Sequence, residues 1–118
     1  MHAHSQIESA NDAELIDVAA ELLTLLADPT RLRIVLALAR GELSVSKLAE
    51  IVDRAPAAVS QHLAKLRLAR LVHTRHEGNR VHYSLVDEHP ALLVREALRQ
   101  AEHSTGLVPA PNEQRSAR

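Results

Sequence analysis

Residues 44–85 read SVSKLAEIVDRAPAAVSQHLAKLRLARLVHTRHEGNRVHYSL, and the fold turns on how this stretch divides. Ser44 is an N-cap type, and Leu48, Ala49, Ile51 and Val52 form one inward face, so a short helix is predicted over residues 45–52. After a break at residues 53–55, Pro56 suits the first position of a second helix reaching about residue 70, with Val59, Leu63 and Leu66 on its apolar stripe. From residue 71 the period changes. Val81, Tyr83 and Leu85 alternate with Arg80, His82 and Ser84, and Glu77-Gly78-Asn79 supplies a turn, so residues 71–85 read as a β-hairpin. Two short helices joined by a tight turn and followed by a hairpin make a winged helix-turn-helix.

The flanks extend the pattern. Asn11 followed by Glu14 resembles a capping box opening a helix to about residue 27, whose apolar residues, among them Leu15, Ile16, Val18 and Leu23, cover more than one face. In so small a chain, a helix apolar on two sides implies a subunit interface as well as a core. Asp28 and Pro29 read as N-cap and first residue of a helix over residues 29–40 that stops at Gly41. Asp87 caps a last helix to about residue 104, with Pro90 in its first turn. The expected fold is mainly α with one β-hairpin: four helices, the hairpin and a last helix, forming one domain over residues 11–104. Residues 1–10 and 105–118 are expected to be flexible tails.

Composition narrows the function classes. The 118 residues include 19 Leu, 19 Ala, 10 Val and 4 Ile but one aromatic residue, Tyr83, so the core is aliphatic and base stacking on serial aromatics is excluded. There is no Cys, which removes disulfides, thiolate metal sites and Cys nucleophiles. No apolar stretch approaches 18 residues and no leader pattern opens the chain, so a cytoplasmic protein is expected. No Gly-rich phosphate loop, nucleophile arrangement or clustered carboxylate pair suggests an enzyme.

The formal net charge of −1 hides segregation. Residues 1–29 carry six acids and no Lys or Arg, whereas residues 54–80 carry six Lys and Arg against Glu77 alone. The basic stretch coincides with the second helix and the hairpin, the parts of a winged helix that meet duplex DNA. Ser60, Gln61 and His62 sit on the exposed N-terminal half of that helix, able to reach base edges or phosphates, with Lys65 and Arg67 behind them. Arg75 and Arg80 flank the hairpin tip, where they would supply phosphate contacts. His73, His76 and His82 are expected to face solvent or DNA on the wing.

The run from Leu25 through Asp28-Pro29-Thr30-Arg31 to Ile34, then Val59-Ser60-Gln61-His62-Leu63-Ala64-Lys65-Leu66, then Gly78-Asn79-Arg80-Val81-His82-Tyr83-Ser84-Leu85 resembles the ArsR/SmtB family of bacterial winged-helix repressors, over about residues 12–104. The resemblance implies a homodimer built on the first and last helices, an operator of two-fold symmetry, and release of DNA when an inducer, usually a metal ion, binds. The family's Cys-based sites are impossible here, which leaves nitrogen and oxygen sites suited to nickel, cobalt or zinc.

Of the family's zinc pattern on the last helix, Asp87, His89 and His103 match, and Gln100 stands where a His is expected. The pattern of the nickel/cobalt sensors of the KmtR and NmtR type is met by His89, Glu102 and His103. Glu96 shares a side with His89, and His2 and His4 in the N-terminal tail are further candidate ligands. On one helix, fourteen residues put His89 and His103 about 21 Å apart yet only about 40° apart around the axis. Antiparallel pairing of two such helices would bring His89 of one protomer to His103 of the other. Glu102 lies on a different face by the same arithmetic and joins only if the helix end distorts. The expected function is a metal-responsive repressor whose apo dimer holds the operator and is released by nickel or cobalt, or by zinc. The alternative is a repressor of the same family answering to a non-metal signal or to none.

Overall fold

In the computed structural model, the described residues are 10–108. Their order is α1 (Ala10–Leu26), α2 (Pro29–Leu38), β1 (Leu43–Ser44), α3 (Val45–Val52), α4 (Pro56–Leu68), β2 (Val72–Glu77), β3 (Arg80–Leu85) and α5 (His89–Thr105). The winged helix-turn-helix is therefore present, with one addition. Two residues after Gly41 form a strand that pairs antiparallel with β3, Leu43 opposite Tyr83 and Ser44 opposite His82, so the hairpin becomes a three-stranded sheet of order β1-β3-β2. A two-residue strand carries no periodicity of its own, and its pairing with β3 alone reveals it.

Local chemistry accounts for most boundaries. Asp28 is extended and its Oδ2 accepts the Arg31 backbone N–H at 3.0 Å, while Pro29 occupies the first turn where no donor is missed. Ser44 Oγ accepts the Lys47 N–H at 3.2 Å and opens α3 directly from β1. The chain leaves α4 through a Schellman turn: the Arg70 N–H reaches Arg67 O at 2.9 Å and the Leu71 N–H reaches Leu66 O at 3.0 Å. Arg70 holds φ +63° there, a left-handed position that Gly usually fills. The β2–β3 register runs from Val72 opposite Leu85 to Glu77 opposite Arg80, with Gly78 at φ +60° in the turn.

Three boundaries differ from the sequence reading. Asn11 lies inside α1 and is not its cap, because the helix already includes Ala10. Helix α2 ends at Leu38, with Ala39 and Arg40 in a turn before Gly41. At α5 the N-cap position is Glu88, which makes no side-chain cap; Asp87, one residue earlier, accepts the His89 N–H at 2.8 Å. The helix runs one residue beyond the expected end and closes on Gly106 at φ +75°. The two expected tails fall largely outside the described residues.

The core is aliphatic throughout. Ile34, Val35 and Leu38 of α2 meet Leu48 and Val52 of α3, Val59, Leu63 and Leu66 of α4, Val72 of β2 and Val94 of α5, all buried. Tyr83 packs against this cluster only at its edge. Helix α1 buries Leu26 and packs Leu25 against the cluster, while much of its remaining apolar surface is uncovered: Leu15 is 65% and Leu23 56% exposed. Helix α5 likewise buries Ala91 and Val94 while Leu92, at 51%, and Leu98 remain exposed.

Two stability outcomes follow. Leu63→Ala should cost about 2–5 kcal/mol in urea unfolding, because its site is enclosed and cannot collapse around the lost methyl groups. The Arg31 backbone N–H holds the Asp28 carboxyl below its ordinary value, with the Arg31 charge adding to the effect. A lowered folded value means that Asp28 stabilises the fold above the ordinary carboxylate range, and that this stabilisation is lost as pH falls through the folded value. Asp28→Ala should cost about 1 kcal/mol at neutral pH, whereas Asp28→Asn should keep the cap and flatten the acid limb below about pH 4.

Candidate nucleic-acid interface and metal ligands

Helices α3 and α4 meet through Asp53, which takes φ +56° at the end of α3 and lets the chain turn into Pro56. With Val59, Leu63 and Leu66 turned inward, α4 presents Ser60, Gln61, Lys65 and Arg67 outward, all exposed. These are the groups the sequence assigned to DNA. Lys65, Arg67 and Arg80 form no ion pair among the described residues and are available to phosphates.

His62 differs from its neighbours. Its side chain is only 23% exposed and lies against the start of α2. Arg31 Nε donates to His62 Nδ1 at 3.0 Å, Arg31 Nη1 donates to Leu25 O at 2.8 Å, and Asp28 Oδ2 is 3.9 Å from His62 Nδ1. Sequence reasoning passed over Arg31 as a functional residue, although it stands in the run that carried the family resemblance. No spacing rule links two residues 31 positions apart.

Arg75 also departs from its expected role as a bare cation. Its guanidinium grips Glu42 in two-pronged fashion, Nη2 to Oε1 at 2.7 Å and Nε to Oε2 at 3.0 Å, with Glu77 Oε1 at 3.6 Å. The pairing lowers the Glu42 carboxyl and raises the guanidinium, each from its ordinary value. It ties the outer strand of the wing to the residue before β1. His82 faces neither solvent nor DNA as expected. Strand β1 pairs beside it, its side chain is 18% exposed, and its buried Nε2 sits 3.2 Å from Glu77 Oε1, in ion-pair range but outside hydrogen-bond geometry. His73 and His76 are exposed, and His73 Nε2 contacts Ser84 Oγ at 3.0 Å.

The candidate metal ligands lie at the two ends of α5. His89 is its first residue and His103 falls in its last turn, both exposed. Glu102 is half-buried, Glu96 is ion-paired to Arg99 at 2.8 Å, and Gln100 donates to Ser104 Oγ at 3.0 Å. Among the described residues of a single chain, no three His, Asp or Glu side chains are grouped to hold a metal ion. His2 and His4 lie outside the described residues. The donors on α5 are nitrogen and oxygen atoms, a set that fits nickel, cobalt or zinc, but the helix keeps its two histidines apart, so His89 and His103 of one chain cannot share an ion.

No helix among the described residues is long and apolar enough to cross a membrane. Residues 28–74 match the family described as bacterial regulatory protein, arsR family. The HTH-type transcriptional regulator KmtR of Mycobacterium tuberculosis is 42% identical over 109 residues, covering 92% of this chain and 83% of that protein. A cadmium resistance transcriptional regulatory protein, a CadC homolog of Staphylococcus aureus, is 40% identical over 79 residues, 66% of this chain and 65% of that protein. Among solved structures, the homodimeric winged helix-turn-helix DNA-binding domain of Mb0332 from Mycobacterium bovis superposes with a TM-score of 0.73 at 31% identity, covering 87% of this chain and 96% of that one. With the helix-turn-helix, the basic recognition surface and these likenesses in agreement, the chain belongs to the ArsR family of bacterial regulatory proteins, which are DNA-binding transcriptional regulators and not enzymes.

Proposed function

We propose that the protein is a homodimeric, cytoplasmic transcriptional repressor that holds an operator through α4 and the wing and is released by a divalent metal ion. The observation that carries this reading is where exposed side chains gather: Leu15, Ile16, Val18 and Leu23 on α1 and Leu92, Leu93 and Leu98 on α5 are uncovered, whereas Ser60, Gln61, Lys65 and Arg67 face outward on α4, which exposes Leu68 only at its end. The apolar side chains left uncovered on α1 and α5 belong to the helices that flank the DNA-binding core, and a second copy would cover them. The homodimeric state of the Mycobacterium bovis domain supports the same arrangement. Two-fold symmetry would then set two α4 helices into successive major grooves, with Ser60, Gln61 and His62 reaching base edges or phosphates and Lys65, Arg67 and Arg80 meeting phosphates.

For the signal, we infer nickel or cobalt, with zinc as the alternative metal. The supporting observations are the exposed imidazoles of His89 and His103 on one stripe of α5, the adjacent Glu102 and Asp87, and the absence of Cys. Likeness to a cadmium-resistance regulator supports a metal signal in general, and the lack of thiolate turns the choice toward metals that accept imidazole and carboxylate. A bound ion would supply a fixed link between the α5 ends of two chains. Neutral imidazole is needed for ligation, so binding should weaken as the solution is made more acidic.

Two experiments test these readings. Full-length protein should recover, from a randomised duplex library, half-sites related by two-fold symmetry, with affinity that falls steeply as salt rises; salt-independent or absent binding overturns the DNA reading. Lys65→Ala and Arg80→Ala should each reduce the salt slope by about 1, and Arg75→Ala by less, because Glu42 already neutralises that guanidinium. Calorimetry with nickel, cobalt and zinc should show binding that His89→Ala and His103→Ala abolish, together with metal-induced release of the recovered duplex. Unchanged release in both variants removes the α5 site, and the lack of any metal binding favours a repressor that answers to a non-metal signal.

A further inference from the structure

The contact between Arg31 and His62 determines which ring nitrogen of His62 carries the proton. A guanidinium has only donors and is always charged, so the nitrogen that receives its Nε–H must be bare. That nitrogen is Nδ1, at 3.0 Å. The proton of the neutral ring therefore sits on Nε2. Nε2 has no partner among the described residues, and it is not one of the buried polar atoms that lack one, so it reaches solvent. His62 precedes Leu63 on α4 and shares its helix turn with the exposed Lys65.

We propose that Arg31 is a positioning residue for DNA binding: it locks His62 as an Nε2–H donor directed at a hydrogen-bond acceptor on duplex DNA. The acceptor is a phosphate oxygen or an acceptor on a base edge in the major groove, and one N–H serves for either. The lock is itself held in place. Arg31 Nη1 donates to Leu25 O in the last turn of α1, and its backbone N–H is received by Asp28 at the α2 cap. An imidazole without this partner divides its proton between the two nitrogens, and the Asp28 carboxylate, 3.9 Å from Nδ1, would draw the proton to the wrong one. The contact also joins the end of α1 directly to the recognition helix.

The inference rests on the DNA-binding reading above, and its test separates the two. Long-range proton–nitrogen correlations on full-length protein labelled in its histidine rings should show His62 protonated on Nε2, with the ring released to a mixture in R31A and partly restored in R31K. A proton on Nδ1 in the unaltered protein, or an unchanged ring in R31A, overturns the proposal whether or not any duplex binds. On the duplex recovered by the unaltered protein, R31A should weaken binding by the inverse of the fraction of rings that still carry the proton on Nε2, about tenfold where Asp28 holds some nine rings in ten as Nδ1–H. Asn reaches the Nδ1 position and Gln the Nε2 position, so H62N should lose more affinity than H62Q. In the H62Q background R31A should cost less than twofold, since that amide carries its own donor. An equal cost of R31A in both backgrounds makes Arg31 purely structural and overturns the proposal. Loss that is uniform across sequences assigns the acceptor to phosphate, and loss confined to one base pair assigns it to a base edge. Absence of duplex binding by the unaltered protein overturns the proposed function and the DNA half of this inference together.

Discussion

Burial of the aliphatic face of α2 is the constraint on which the rest of the molecule depends. Ile34, Val35 and Leu38 are the surface that α3, α4, the sheet and α5 all share, and there is no Phe or Trp elsewhere to carry a second core. A chain this short buries a modest fraction of its surface, so each aliphatic contact bears a large share of a small net stability. That economy explains why α1 is left outside. Leu26 enters the cluster and Leu25 packs against it, while Leu15, Ile16 and Leu23 stay exposed.

Polar contacts divide into those that build the frame and those that remain for a ligand. Asp28, Arg31 and His62 knit three helices at one point, and Glu42, Arg75 and Glu77 fasten the wing. Among the described residues, Lys65, Arg67 and Arg80 form no ion pair, and Ser60 and Gln61 are exposed beside the first two on α4. Charge counted along the chain overstates the cationic surface, because it credits Arg75 with a charge that Glu42 neutralises from 33 residues away. Such pairs are individually weak at the surface, but a two-pronged guanidinium–carboxylate pair fixes orientation, and orientation is what a wing must hold.

Much of this was legible in the amino acids. Proline and cap residues punctuated α2, α3 and α4 correctly because Asp28-Pro29, Ser44 and Pro56 act on their own turns. Alternation of Val81, Tyr83 and Leu85 announced the hairpin for the same local reason. The family and its helix-turn-helix follow from residues close in sequence, and the missing Cys alone rules out thiolate ligation.

What lay beyond reach was pairing at a distance. Strand β1 exists only because β3 lies beside it; His82 is covered for that reason, although its neighbours in sequence suggest a solvent-facing residue. The proton position on His62 is decided by a guanidinium 31 residues away. Local propensity acts within a few residues and is written into the chain directly, whereas a hydrogen bond between distant residues forms only after the core has set their separation. Composition and spacing therefore settle the winged helix and the residue types on its surface, and the packed aliphatic core settles which of those residues remain exposed.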